Sequence, residues 1–393
     1  MAVAPAQAQA LTLAADHPET GWIRLQVSGT EGSTVDLAEQ TAAGLRPVAE
    51  VKLAGGPALI RHGEIWRCDR YLRHFVATST APDGSTESAT ADVRTPSCRK
   101  RLTLAATVSK HGRSRRVVVR LTDRWGVGDV PAGICVVPPG RRLKCHAVRI
   151  PGGRKQALLS YRARGPGLWS VVLQTDWKQG ATVRAYVRPA RTLKLLATGD
   201  SMIQYVDVAL RRRLAPHGIK VRSDARVSTG ISKPFLLNWP NLAKRQARTI
   251  RPDVTVVFIG ANDGFPFGNV DCCGDAWVDA YATRVQTMMA AYSRQRRGLV
   301  YWLTLPAPRP AQWKSVYPAV NRALKRAAAG FAGQIRLIDI AKVFTPGFRF
   351  RSSMIWHGRR QNVRQGDGVH LSVSGAAIAE TLIQRAMRQD GVI

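Results

Sequence analysis

Leu195-Leu196-Ala197-Thr198-Gly199-Asp200-Ser201 is the stretch on which the reading of this chain turns. An apolar run with the character of a buried strand stops at Gly-Asp-Ser, and a helix-like pattern starts at Met202. That order puts a serine hydroxyl between the carboxyl end of a strand and the start of a helix, the place where open α/β sheets bind their ligands. Free N–H groups at such a turn also favour developing negative charge.

Working outward, residues 193–197, 254–259, 299–305 and 335–340 read as strands. Residues 202–214, 242–250, 276–292, 315–329 and 374–389 read as helices. Strand and helix in alternation predict an α/β domain over 190–393, with a doubly wound parallel sheet and helices on both faces. The near-continuous run Val254-Thr-Val-Val-Phe-Ile259 suits a strand covered on both sides. Upstream the period changes to two. Trp22-Ile-Arg-Leu-Gln-Val27 and His74-Phe-Val-Ala-Thr78 alternate between turn clusters, as do segments from 102 to 187. We therefore expect two all-β sandwich modules of immunoglobulin-like (Ig-like) size, at 11–97 and 98–189.

Four short stretches fall in loops of the α/β region: Gly199-Asp-Ser201, Ser228-Thr-Gly-Ile-Ser232, Gly260-Ala-Asn-Asp-Gly264 and Asp367-Gly-Val-His-Leu-Ser372. Together they contain what acyl transfer requires. Ser201 needs a base to become nucleophilic, and His370 can supply it. Asp367, three residues earlier, can accept from the other ring nitrogen and orient the base. The backbone N–H groups of Ser201 and Gly230 and the side-chain amide of Asn262 can face a tetrahedral oxyanion. Gly230 lacks a Cβ, so its backbone can approach the reacting carbon. Each piece also has a plain reading. Asn262-Asp263-Gly264 and Asp367-Gly368 make ordinary turns, Ser372 makes a helix cap, His357 is a rival base, and Asp200 braces its loop or replaces Asp367. Trp239, Trp277 and Trp302 either pack a core or line an acyl or sugar pocket. The aperiodic stretch 265–274 is a rim, a lid or a passive loop.

The four blocks, in this order and at these spacings, resemble the SGNH (GDSL-type) hydrolase superfamily over about residues 190–393. The longer stretches Gly260-Ala-Asn-Asp-Gly-Phe-Pro266, Tyr301-Trp-Leu-Thr-Leu-Pro306 and Val363-Arg-Gln-Gly-Asp-Gly-Val-His370 look like a bacterial, envelope-associated branch. The resemblance implies a flavodoxin-like α/β/α fold and a carboxylester hydrolase or O-acyltransferase. It makes Ser201 the nucleophile, His370 its base, Asp367 the base's partner, and Gly230 and Asn262 oxyanion donors. Met202 departs from the family's usual Leu, a volume-conserving change. Neither a cofactor nor a metal is implied.

Composition bounds the setting. The formal net charge is +33, unevenly spread: residues 98–190 hold 20 basic against 3 acidic residues, whereas residues 1–97 hold 8 against 11. Such an excess attracts a polyanion, and no zinc-ligand spacing, helix-turn-helix signature or aromatic-studded RNA motif points to nucleic acid. An anionic cell-wall polymer or membrane surface is the expected partner, beside an acylated carbohydrate or lipid ester as substrate. Residues 1–10 are Ala-rich and read as a signal-peptide remnant or a disordered start. Six cysteines without a Cys-x-x-Cys pair suit an oxidising compartment; the local pairing expectation is Cys68 with Cys98 and Cys135 with Cys145. Adjacent Cys272 and Cys273 could bridge only through a strained ring. The leading expectation is an exported, envelope-associated serine esterase removing a short acyl group. The alternatives are an O-acyltransferase with the same triad and a non-catalytic wall-binding or adhesion protein.

Overall fold

The computed structural model describes residues 9–16, 23–62, 72–94, 101–111, 114–124, 126, 130–175, 180–331 and 333–393. The expected Cys68–Cys98 pair and the Ala-rich start through residue 8 lie outside these residues.

Two antiparallel sandwiches come first. In the first, Thr12–Asp16, Ile23–Ser28 and Ala58–His62 form one sheet; Gly44–Lys52, Thr34–Thr41, Leu72–Thr80 and Thr86–Arg94 form the other, in that spatial order. In the second, Gln156–Ala163, Ser114–Asp123 and Leu102–His111 face a sheet ordered Lys144–Ile150, Val130–Val137, Gly167–Gln174, Ala181–Val187. Both modules use one topology: the first, second and fifth strands pair, and the fourth, third, sixth and seventh pair. Alternation explains it, since every second residue turns inward. Val117, Val119 and Leu121 from one sheet meet Ile134, Val136, Val171 and Leu173 from the other in a single core.

The rest of the chain is an α/β unit. Its strands are β1 (Leu193–Gly199), β2 (Ile219–Ala225), β3 (Val254–Phe258), β4 (Leu299–Leu303) and β5 (Ile335–Ile338). All pair in parallel, in the order β2-β1-β3-β4-β5, the flavodoxin-like order. Its helices are α1 (Val206–Leu214), α2 (Trp239–Thr249), α3 (Asp275–Ser293), α4 (Val316–Ala329), α5 (Ile340–Phe344) and α6 (Val373–Gln389). α1 packs on α6, while α3 lies between α2 and α4, giving the two helical layers that right-handed crossovers require. All five residues of β3 and of β4 are buried, as strands covered on both faces must be. Trp239, Trp277 and Trp302 are fully buried in this core, so the pocket-lining alternative for them is set aside.

Two elements differ from expectation. β2 was not among the expected strands; Ile219-Lys-Val-Arg-Ser-Asp-Ala225 alternates because it is an edge strand with one covered face. The helix expected from 202 begins at Val206, because Ser201–Ile203 forms a tight 3-10 turn and Tyr205 has a φ of 64°. No helix among the described residues is long and apolar enough to cross a membrane.

The second sandwich is fastened to the amino ends of the parallel strands. Leu168 N–H donates to the Arg296 carbonyl (3.0 Å), and Gly140 N–H to the Gln295 carbonyl (2.9 Å). The Tyr186 N–H donates to the backbone carbonyl of Asp390 (3.0 Å). The fully buried Asp390 carboxylate takes bonds from Tyr301 Oη (2.9 Å) and Arg336 Nη2 (2.5 Å), with Arg184 of the sandwich 3.8 Å away.

Candidate active site

β1 ends at Gly199, whose φ is +159°; a Cβ there would lie 1.8 Å from the Phe258 carbonyl oxygen. Only glycine lets β1 approach the end of β3 so closely. The chain then turns sharply. Asp200 accepts the Met202 N–H (2.9 Å) through one oxygen and the N–H groups of Gly260 and Ala261 (2.9 Å each) through the other. It thus ties the first loop to the loop after β3, bracing the turn as one of its two sequence readings had it. Full burial pushes the Asp200 carboxyl up to about 7, against the opposing pull of those three N–H donors.

Ser201 emerges from this turn at the carboxyl end of β1, on the divide between β1 and β3 where the strand order reverses. His370 Nε2 lies 2.7 Å from Ser201 Oγ, and His370 Nδ1 lies 2.5 Å from Asp367 Oδ2. Because a carboxylate only accepts, Nδ1 carries the proton and Nε2 is left to accept from the serine hydroxyl. Partial burial disfavours the Asp367 charge. The His370 ring and the N–H groups of Val369 (2.8 Å) and His370 (3.1 Å) outweigh it, so this carboxyl titrates below its ordinary value. His357, the rival base, instead sits in the turn of the hairpin Ser353–Trp356/Arg359–Asn362, edge-on to Trp356.

The histidine loop is held by two arginines that sequence reading did not single out. Arg364, 2% exposed, donates to the carbonyls of Val369 (2.5 Å) and Ala307 (2.6 Å). Burial lowers its guanidinium to about 10. Arg309 binds the Gly366 carbonyl with its side chain and the Gly368 carbonyl with its N–H (3.0 Å). Ser372 caps α6 through the Gly375 N–H (3.0 Å).

Gly230 and Asn262 are brought to the same end of the sheet. A Cβ on Gly230 would meet Asp263 Oδ1 at 2.6 Å, so the Gly230 backbone packs directly against the Asp263 carboxyl group. Asn262 Nδ2 donates one hydrogen to the Thr229 carbonyl (3.1 Å), leaving the second N–H of the amide for another acceptor. The fixed element between these loops is Asp263. It accepts from the Ser232 N–H (2.6 Å), the Ser232 hydroxyl (2.9 Å) and Tyr281 Oη (2.6 Å), and burial raises its pKa. In the sequence Asp263 looked like a turn residue, because its partners Ser232 and Tyr281 are distant in the chain.

Residues 265–274 form a rim beside this site. Trp277 Nε1 holds the Phe265 carbonyl (2.8 Å), Phe267 stacks on the Trp277 ring, and Phe235 meets Phe265 edge-on at 5.8 Å. Cys272 and Cys273 are bridged within this rim, and Cys135 is bridged to Cys145 in the second sandwich. Among the described residues no group of three or more His, Cys, Asp or Glu side chains is arranged to hold a metal ion.

Residues 194–386 match a family model described as "Protein of unknown function (DUF459)". No curated protein matches the sequence. Solved structures that match include a carbohydrate esterase family 2 enzyme with a carbohydrate-binding domain from Corynascus thermopiles (Myceliophthora fergusii). It is 13% identical, the match covers 74% of this chain and 100% of that one, and the TM-score is 0.34. Another is a member of the lipolytic G-D-S-L family from Veillonella parvula, 14% identical over 50% of this chain and 98% of that one, TM-score 0.36. A third is a family two carbohydrate esterase from Clostridium thermocellum in complex with cellohexaose, 11% identical over 74% and 100%, TM-score 0.35.

Proposed function

We propose that this protein is an exported serine esterase of the SGNH (GDSL-type) kind, removing a short O-acyl group from a cell-envelope saccharide or lipid. The observation that carries the reading is the hydrogen-bonded chain Ser201–His370–Asp367 at the β1/β3 divide of a parallel sheet. In this reading Ser201 Oγ attacks the ester carbonyl while His370 Nε2 takes its proton. The oxyanion forms against the N–H groups of Ser201 and Gly230 and the free amide hydrogen of Asn262. His370 then hands the proton to the departing alcohol. A water molecule, deprotonated by the same ring, releases the acid and restores Ser201.

A short acyl group fits the site's openness. The His370 and Asp367 side chains are 30% and 44% exposed, and Trp239, Trp277 and Trp302 are spent in the core. Such a shallow site suits an ester carried on a bulky acceptor. Export is supported by the Cys135–Cys145 bridge, since disulfides persist in oxidising compartments. We read the two sandwiches as immunoglobulin-like modules at 11–97 and 98–189, from their shared split into three and four strands.

The test is hydrolysis of a chain-length series of p-nitrophenyl esters by wild type and Ser201→Ala. The expected result is turnover of the acetate that falls with chain length and vanishes in the variant. Turnover retained by Ser201→Ala would contradict the reading. Turnover that appears only with a saccharide acceptor would assign acyl transfer instead.

A further inference from the structure

The second sandwich has an open side between two edge strands, Lys144–Ile150 of one sheet and Gln156–Ala163 of the other. A crevice of about 640 Å³ lies there. Its inner wall holds Trp169 and Tyr161, ring centroids 6.1 Å apart, with His146 6.0 Å beyond Tyr161. Its rim holds Arg141, Lys144, Arg162, Arg164 and Arg297, all exposed. We propose that this crevice binds an anionic polysaccharide, at a site separate from Ser201.

Three observations converge on that ligand. First, among the described residues none of the five rim cations has a carboxylate partner and no acidic residue lines the crevice. Like charges gathered around one concavity repel each other, and an incoming polyanion offsets that cost. Four of the five are arginines, whose forked donors match carboxylate geometry. Second, Trp169 Nε1 and Tyr161 Oη are buried polar atoms with no hydrogen-bond partner among the described residues. Buried donors are normally satisfied; these two are closed to solvent, so a polar ligand reaches them only by displacing the side chains that cover them. Sugar hydroxyls and carboxylates accept from such donors. Third, the ring faces are poorly placed for nucleic acid. Trp169 is 5% exposed and Tyr161 half-buried, so neither offers the open platform on which bases stack.

The position makes this an anchor rather than a subsite. Arg297 lies just before β4, at the amino ends of the parallel strands, whereas Ser201 follows their carboxyl ends. A strand of five residues separates the two levels by about 17 Å. A polymer held at the crevice therefore spans several sugar units before it reaches Ser201. The inference stands on the crevice's own chemistry and survives if the esterase reading fails.

The experiment is calorimetric titration of the full chain with polygalacturonate, dextran and a single-stranded oligonucleotide at about 0.15 M salt. Because the whole protein is basic, net charge is controlled by a matched variant, Arg211→Glu/Arg212→Glu/Arg248→Glu, on helices away from the crevice. Polygalacturonate binds the wild type and the matched variant, and dextran binds neither. Arg141→Glu/Arg162→Glu/Arg164→Glu weakens binding at least tenfold. Tyr161→Phe, which removes one hydroxyl, weakens it about 3- to 10-fold. Hydrolysis of p-nitrophenyl acetate is the same in all of them. Equal weakening by the two triple variants would reduce the crevice to bulk charge and overturn the proposal. So would dextran binding, or tighter binding of the oligonucleotide through the same three arginines.

Discussion

The two edges of the parallel sheet use the same chemistry for different ends. At the carboxyl edge, buried Asp200, Asp263 and Arg364 take or give bonds to backbone groups in neighbouring loops, and those loops carry Ser201, Asn262 and His370. At the amino edge, buried Asp390 joins Arg336, Tyr301 and the backbone of the second sandwich, and no proposed catalytic group is nearby in the chain. A buried charge costs several kcal/mol to desolvate at either place. What differs is what the charge holds. One edge holds the loops that carry the proposed catalytic groups; the other fastens a domain. Removing a charge at each edge should therefore give different deficits.

The largest expected effects are at the reacting atoms. Ser201→Ala and His370→Ala should each lower kcat by about 10⁶-fold, and the double variant should be scarcely worse, because the residues act as a unit. Losses that multiply in p-nitrophenyl acetate assays would separate their roles. Asp367→Asn should lower kcat by about 10⁴-fold through the wrong histidine tautomer. Asn262→Ala should lower it by about 10²–10³-fold with KM little changed, if its amide meets the oxyanion.

The comparison between edges is sharpest in one pair of variants. Asp263→Asn and Asp390→Asn each disturb a buried network; in urea unfolding the loss of hydrogen bonds at Asp263 should cost about 1–3 kcal/mol, and the broken ion pair of Asp390 with Arg336 about 3–5 kcal/mol. Asp263→Asn should also lower kcat, by up to about 10²-fold, because the Gly230 and Asn262 loops shift. Asp390→Asn should leave kcat per folded molecule unchanged. A kcat loss in Asp390→Asn equal to that in Asp263→Asn would erase the distinction.

The smallest effect is on stability at the triad itself. The Asp367 carboxyl titrates below its ordinary value in the folded protein. Its contribution is therefore present above the unfolded value of about 3.9 and disappears as pH falls through the lower folded value. The pair is solvent-accessible, so wild type should exceed Asp367→Asn by about 1 kcal/mol or less at neutral pH. Unfolding curves should converge below pH 4; a gap that widens with acid would reverse the sign.

How much of this was legible follows from where the information lies. β1 and β3 are nearly continuous apolar runs, so the sheet's centre could be read directly, and two of the four loop blocks follow those runs. β2 was missed because an edge strand alternates and Lys220, Arg222 and Asp224 dilute its apolar signal. Asp263 and Arg364 were missed for another reason. Each acts through partners distant in sequence, Ser232 and Ala307, and nothing local marks an aspartate or arginine as buried. The sandwiches were visible as alternation, but alternation says nothing of ligands. The crevice gathers Arg141 from a turn, Arg162 from a strand edge and Arg297 from another domain, and only folding brings them together.

The central claim is that Ser201 is a nucleophile activated by His370. The most direct test is labelling with a fluorophosphonate, followed by peptide mass spectrometry on wild type and His370→Ala. The account predicts one adduct, on Ser201, that is lost or strongly slowed in His370→Ala. Ester turnover without a Ser201 adduct, or an adduct formed equally fast without His370, would contradict it.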